Sequence, residues 1–366
     1  MHHISLPPGL GAGPSSPALI PGRVNLGTSG AQIVGQLTEV AADSAAQLPP
    51  EDLAIEADAD VAVFWGYVRV HDLFSSRQVI QLLMGLPSGF GMSPPLVTVI
   101  TPCLQSADTL PDTLMGVVRA WEILQRAGEA LEHLVIDGGS TDGTQELLER
   151  HASLNPFCRW QRDVGGGPYA AMNVGVEQAL GRYCHVLNAD DLLLDPSAYV
   201  DFLIQARQQN AALLLASIGY FRRPERCLRA EWIVRLPPSD PAVWHKQLRR
   251  GLHYPHPGFI AETSLYRATG FDERYDLSAD YKLMLTLLLR PELAGRVAIC
   301  SKPLVAMAEG GATSGWRAIL GGKKQLAEIN QDLGILAPAW RRYLGKFLLR
   351  LARRASPLSL PNYQGE

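Results

Sequence analysis

Between Leu96 and Ala189 short apolar runs alternate with longer stretches of helical period. "LVTVITP" from Leu96 to Pro102 is a β-branched run of the kind buried in parallel sheets. "LPDTLMGVVRAWEILQRAG" predicts a helix, "LEHLVID" a second strand and "TDGTQELLERHA" another helix. "YAAMNVGVEQAL" then reads as a further helix and "YCHVLNA" as a third strand. Strands and helices alternating at this spacing predict an α/β doubly wound sheet. After Gly251 the pattern loosens, and the C-terminal part reads as mainly helical.

The flanks differ in character. Residues 1 to about 30 are rich in Pro, Gly and Ser without any period, which predicts a leader with no fixed structure. "GLGAGP" within it has the composition of a phosphate loop, but no strand precedes it and no helix follows. Residues 31–91 are mixed, with "DVAVFWGYVRV" strand-like and "SSRQVIQLLMGL" helix-like. The expected division is an N-terminal extension at 1–94, partly disordered, a central α/β domain at 95–315, and a helical basic tail at 316–366. In the tail, Trp340, Tyr343, Leu344, Phe347, Leu348 and Leu351 recur at helical spacing, with Arg341, Arg342, Lys346, Arg350, Arg353 and Arg354 as the basic complement. Such a helix suits either an anionic membrane interface or packing on the domain with a solvated basic face.

Composition narrows the function. The 366 residues suffice for a full core, and a formal net charge of -3 gives no chain-wide polybasic signature, so nucleic acid is not an expected partner. Five scattered cysteines without a C-x-x-C pair suggest neither a disulfide framework nor a zinc site, and a reducing cytoplasm is the simplest setting. The N-terminus lacks a basic segment leading into a continuous apolar one, so no secretory signal is read. Apolar stretches such as "LMLTLLL", Leu283 to Leu289, fall well short of the roughly 20 residues of a spanning helix.

Ligands of open α/β sheets collect outside the carboxyl ends of the strands. There the chain places Thr101-Pro102, then "DGGSTDGT" from Asp137, then Asn188-Ala189-Asp190-Asp191. Asp137 before two glycines can accept hydrogen bonds from a planar ring while the backbone lets the ring approach. Ser140, Thr141 and Asp142 read as a helix start with favourable macrodipole charge. Asp190 and Asp191 are hard oxygen ligands suited to Mg²⁺ or Mn²⁺, which take one or two protein carboxylates and complete their shell with phosphate oxygens and water; solvated aspartates in a helix-start turn are the alternative.

"VTVITP", "IDGGSTDGT", "YAAMN" followed by "NADD", and "GFDERYDLSADYKL" stand in the order and approximate spacing of family-2 glycosyltransferases. The chain resembles that family from about Leu96 to Ser314. The resemblance implies a GT-A type nucleotide-binding sheet flanked by helices. It also implies an inverting transfer of a sugar from a nucleotide diphosphate sugar, with a UDP-linked donor expected, to a hydroxyl acceptor such as a glycan or lipid-linked glycan. Surface polysaccharide or glycolipid synthesis would be the setting, in the cytoplasm or at the inner face of the plasma membrane. Carried over by position, Thr101, Pro102, Asp137 and Gly139 would line the nucleotide pocket. Tyr169 and Asn173 would either contact the nucleotide or pack their helix. Asp190 would hold donor and metal, Asp191 metal, and Asp280 would deprotonate the acceptor.

Two departures bear on the donor loop. The family often reads like "EPDKGIYDAMN" where this chain has "RDVGGGPYAAMN", so Gly165 and Ala170 stand where acidic residues are common. A non-catalytic nucleotide-sugar-binding module is therefore the rival reading. A nucleotidyltransferase is disfavoured, because "TPCLQSADTL" replaces the glycine-rich basic loop that such chemistry places after the first strand. His253 and His256 in "HYPHPGF" suit capping or packing better than metal ligation, and "AEGGATSG", which resembles the segment closing the family's catalytic domain, reads either as a glycine-rich turn or as a contact of Thr313 or Ser314 with acceptor or pyrophosphate.

Overall fold

The computed structural model describes residues 94–162, 165–223, 227–309, 316–336 and 360–361. The N-terminal extension and the tail beyond residue 336, apart from 360–361, lie outside the described residues, as do Asp163, Val164 and the segment 310–315.

In chain order the elements are β1 (Val97–Cys103), α1 (Leu110–Arg126), β2 (Leu131–Asp137), α2 (Thr144–Leu154), β3 (Cys158–Arg162), α3 (Gly167–Gln178), β4 (Tyr183–Val186) and β5 (Leu192–Leu193). They continue with α4 (Pro196–Gln208), β6 (Leu213–Arg222), β7 (Cys227–Trp232), α5 (Pro241–Arg249), β8 (Phe259–Glu262), α6 (Thr263–Thr269), α7 (Ala279–Leu288), β9 (Val297–Ala308) and α8 (Trp316–Asp332). The sheet runs β3-β2-β1-β4-β8-β6-β9-β5, with β7 paired to β6.

The first four strands in that order are mutually parallel. β8 is antiparallel to both β4 and β6, so the sheet is mixed rather than the wholly parallel one a doubly wound pattern suggests. The α/β class with a GT-A type sheet flanked by helices otherwise stands as expected. "CRWQR" is an edge strand, β3, that the apolar-run reading passes over, because only its first residue is buried. "YCHV" is therefore the fourth strand. The leucines after Asp191 form β5, which returns antiparallel to β9.

Side-chain alternation divides the core in two. Val97 and Val99 face a layer containing Leu110, Leu114 and Val117 of α1 and Tyr199 and Leu203 of α4. Ile100 faces the opposite layer, with Met172 and Val176 of α3, Trp244 of α5, Tyr266 of α6 and the leucines of α7. Leu326 and Ile329 of α8 join that second layer. Sandwiched this way, the sheet buries every residue of β1, β2 and β4. No helix among the described residues is long and apolar enough to cross a membrane.

The helices differ at their starts. Asp195 caps α4 by accepting from the Ala198 amide, and Asp240 caps α5 by accepting from Ala242. α2 and α3 instead follow left-handed glycines, Gly143 (φ 98°) and Gly166 (φ 83°), without side-chain caps. Both begin at the carboxyl edge of the parallel strands, and the first amide of α2, that of Thr144, donates to Asp142 Oδ1 (3.2 Å).

Candidate active site

The register pairs Cys103 of β1 with Asp137 of β2 and Asp137 with Arg162 of β3, so the loops after these strands meet at one edge. Asp137 is wholly buried there. Its carboxylate accepts from the amides of Gly139 (3.2 Å) and Ser140 (3.0 Å), from Gln145 Nε2 (2.8 Å) and from the Ser140 hydroxyl. Burial pushes its pKa up, but those hydrogen bonds outweigh burial and hold it below the ordinary carboxylate value. Asp137 therefore shapes the loop that frames the edge, and Gly139, at φ 94°, supplies the turn that aims an amide back at it. Gln105 bridges this loop to the one after β1. Its Oε1 accepts from the Thr141 amide (2.8 Å), and its Nε2 donates to the Thr141 hydroxyl (3.2 Å). Ser106 and Ala107 amides donate to Thr144 and Asp142, completing the tie. Thr101 and Pro102 are buried beside it, with Thr101 Oγ1 3.0 Å from His133 Nε2.

Asp190 and Asp191 take different positions. Asp191 is 1% exposed; one carboxylate oxygen accepts from Asn188 Nδ2 (3.0 Å) and the other from the Ala308 amide (3.2 Å). Its carbonyl accepts from Thr113 Oγ1 (2.7 Å). Burial, reinforced by the neighbouring Asp190 charge, raises its pKa. Asp190 is only partly buried, and burial raises its pKa too, against the lowering effect of Arg223. Sequence reasoning passes over Arg223, which sits behind the turn. Its Nη2 donates to the carbonyls of Asp190 (3.0 Å) and Thr109 (3.2 Å), and Nη1 pairs with buried Asp112 (3.3 Å).

Two carboxylates whose ionisation is disfavoured by burial and by each other form a donor set that a divalent cation would relieve. Asp190 is the more exposed of the two and the more open to such an ion. Asp191, anticipated as a metal ligand, is more deeply buried, and each of its carboxylate oxygens accepts one hydrogen bond inside the turn, which leaves a lone pair on each.

The glycine loop leads into the other half of the site. Gly166 and Gly167 both have positive φ (83° and 79°), and a Cβ on Gly166 would come within 2.5 Å of Ala170 Cβ. Small residues at both positions let this loop close tightly. Tyr169, in the first turn of α3, donates its hydroxyl to Asp280 Oδ1 at 3.0 Å across 111 residues of sequence. Asp280 lies partly buried in the first turn of α7. Phe271 stacks on Tyr169 (5.7 Å) and meets His256 edge-on (6.0 Å). His256 is kept neutral by burial against the opposing pull of Asp280, and its Nε2 has no hydrogen-bond partner. Asn173, anticipated at the nucleotide or in packing, has its amide engaged: Oδ1 accepts from the Phe271 amide (2.8 Å), and Nδ2 donates to Phe271 O (2.9 Å) and Glu273 (2.8 Å). It anchors the turn that carries Phe271. His253 packs edge-on against Trp232 and Tyr281. Thr313 and Ser314 lie outside the described residues.

The family described as "Glycosyl transferase family 2" matches residues 98–274. A PGL/p-HBAD biosynthesis glycosyltransferase of Mycobacterium tuberculosis (strain ATCC 25177 / H37Ra) is 36% identical over 105 residues, covering 28% of this chain and 39% of that protein. TuaG of Bacillus subtilis (strain 168), named for teichuronic acid biosynthesis, is 32% identical over 98 residues, 26% of this chain and 36% of TuaG. The chain thus aligns with well under half the length of these relatives. The crystal structure of Staphylococcus aureus TarS superposes with a TM-score of 0.47 and 16% identity over 69% of this chain and 43% of that one. Across residues 98–274 the chain carries a glycosyl transferase family 2 domain.

Proposed function

We propose that the chain is an inverting glycosyltransferase of surface-glycan synthesis. It would transfer a sugar from a nucleotide diphosphate donor, UDP-linked in the first instance, to a hydroxyl of a glycan or lipid-linked glycan. The observation that carries the reading is the Tyr169–Asp280 hydrogen bond, which joins the glycine loop of the donor side to a partly buried carboxylate at a helix start. In the step, the acceptor oxygen bonds to the anomeric carbon as its proton passes to Asp280, and the bond from that carbon to the diphosphate oxygen breaks with inversion. Tyr169 holds Asp280 in orientation, which matters because an aspartate is a weak base and acts through position. Mg²⁺ or Mn²⁺ held by Asp190 would neutralise the leaving diphosphate. The left-handed glycines Gly166 and Gly167 would let backbone amides of this loop approach phosphate oxygens.

The rival, a domain that binds nucleotide sugar without turning it over, is motivated by Gly165 and Ala170, where acidic residues are common. A panel of nucleotide sugars with Mg²⁺ or Mn²⁺, scored by thermal shift and donor hydrolysis, separates the two. Metal-dependent stabilisation with hydrolysis of one donor supports transfer; stabilisation without hydrolysis or transfer to any acceptor supports the rival. The basic amphipathic tail favours a cytoplasmic enzyme held at the inner membrane face, each basic residue near an anionic surface contributing about 1 kcal/mol. Truncation after Ala337 should abolish co-sedimentation with anionic vesicles, and unchanged sedimentation would remove the membrane role.

A further inference from the structure

Away from the Asp190 turn, β2, β3 and α2 bring together three side chains that the proposed transfer does not use. His133 of β2 and Cys158 of β3 are register partners on parallel strands, and His151 projects from α2. One nitrogen from each histidine and the Cys158 sulfur all lie within 4.8 Å of one another. His133 is completely buried and Cys158 is 5% exposed, while His151 is half-buried and gives a path to solvent. His133 Nδ1 and His151 Nε2 are both buried without a hydrogen-bond partner. Two orphaned imidazole nitrogens beside one thiol are costly in a core, since each lost hydrogen bond leaves a desolvated polar atom.

We infer that His133, His151 and Cys158 form a binding site for a zinc-class divalent cation that clamps the edge strand β3 and helix α2 to β2.

The donor set is the borderline-soft mixture that zinc accepts, with the fourth position left for solvent. Tetrahedral bonds of about 2.0–2.3 Å set ligand atoms about 3.3–3.8 Å apart, so the side chains need only a small inward rotation. His133 already has the outer support a ligand needs: its Nε2 lies 3.0 Å from Thr101 Oγ1, and donation there leaves the Nδ1 lone pair for the metal. Burial lowers the pKa of both imidazoles, to about 3 for His133 and about 4 for His151, so both are neutral near pH 7. Binding through His151 Nε2 moves that ring's proton to Nδ1 and gives up a long 3.3 Å contact with Asn155 Nδ2, which keeps its 2.9 Å bond to the His151 carbonyl. The Cys158 thiol, pushed up to about 12 by burial, releases its proton to solvent as the metal–sulfur bond forms. Sequence spacing hides the set, because 25 residues separate His133 from Cys158 and no paired-ligand motif marks either.

The test uses the full chain loaded with Zn²⁺ and dialysed, with bound metal measured by mass spectrometry, alongside Asp190→Asn, Cys158→Ser and His151→Gln. Wild type and Asp190→Asn should each retain about one zinc ion per chain, whereas either ligand substitution should lower retention at least about tenfold with an unchanged circular dichroism spectrum. Co²⁺-loaded wild type should show a thiolate-to-cobalt charge-transfer band, and chelation should lower its thermal midpoint. His151→Gln, on a partly exposed helix position, decides the matter if Cys158→Ser fails to fold. Wild type without retained zinc, zinc retained equally by His151→Gln, or cobalt loading without the thiolate band would overturn the inference. Loss in Asp190→Asn alone would assign the metal to the Asp190 turn instead.

Discussion

Asp191 ionises readily in the unfolded chain above about pH 4, but in the fold burial and the charge of Asp190 favour its protonated form. A carboxyl whose folded pKa is raised contributes most to stability below its unfolded pKa. That contribution is lost as pH rises from about 4 through its folded value, raised to about 8. The metal-free protein should therefore lose thermal stability across this interval, and Asp191→Asn should lose less. Each kcal/mol of difference corresponds to about 2–4 °C in Tm for a domain of this size. Denaturation scans at several pH values, with chelator present, check this; parallel losses in wild type and variant would remove Asp191 as the cause. In the sequence the two aspartates of "NADD" are indistinguishable. What separates them is the Ala308 amide, 117 residues away, and the Arg223 guanidinium. Contacts that distant leave no local pattern, which is why the two carboxylates were legible as a pair but not as one partly exposed and one buried residue.

The elements best marked in the sequence are those with no choice of environment. β1 and β2 are buried along their whole lengths and read as continuous apolar runs, whereas edge strand β3 carries Arg159, Gln161 and Arg162 and gives no such signal. Close approach is equally hidden. Gly258, in the short turn before β8, lies against β6 so tightly that a Cβ there would come 2.1 Å from Ala216 O. The same turn carries His256 and presents Pro257 O to His185 Nε2 at 3.0 Å. Gly258→Ala should destabilise by about 1–3 kcal/mol, because the contact is with backbone and cannot be relieved by a rotamer change. Gly295→Ala, with nothing within 4 Å of the new Cβ, should stay within about 0.5 kcal/mol of wild type. Urea unfolding of both variants tests the contrast, and equal midpoints would show that β6 yields at Ala216.

Across the whole molecule, the ordered motifs pointed to the family whose model matches residues 98–274. The site is only partly recoverable from those motifs. Asp137, read as a ring-binding acid, is enclosed by Ser140, Gln145 and Gly139, and Asn173 is held by Phe271. In both cases the motif residue's hydrogen bonds hold a loop of the site's rim. Tyr169 and Asp280 are the opposite case: two motifs far apart in sequence meet through one hydrogen bond, and the proposed chemistry depends on that meeting. The direct test is the sugar-transfer rate of Asp280→Asn with saturating donor, acceptor and Mn²⁺, measured beside its donor affinity. The account predicts donor affinity near that of wild type and transfer reduced by about 10²–10⁴-fold. Transfer at the wild-type rate would contradict Asp280 as the base and, with it, the mechanism.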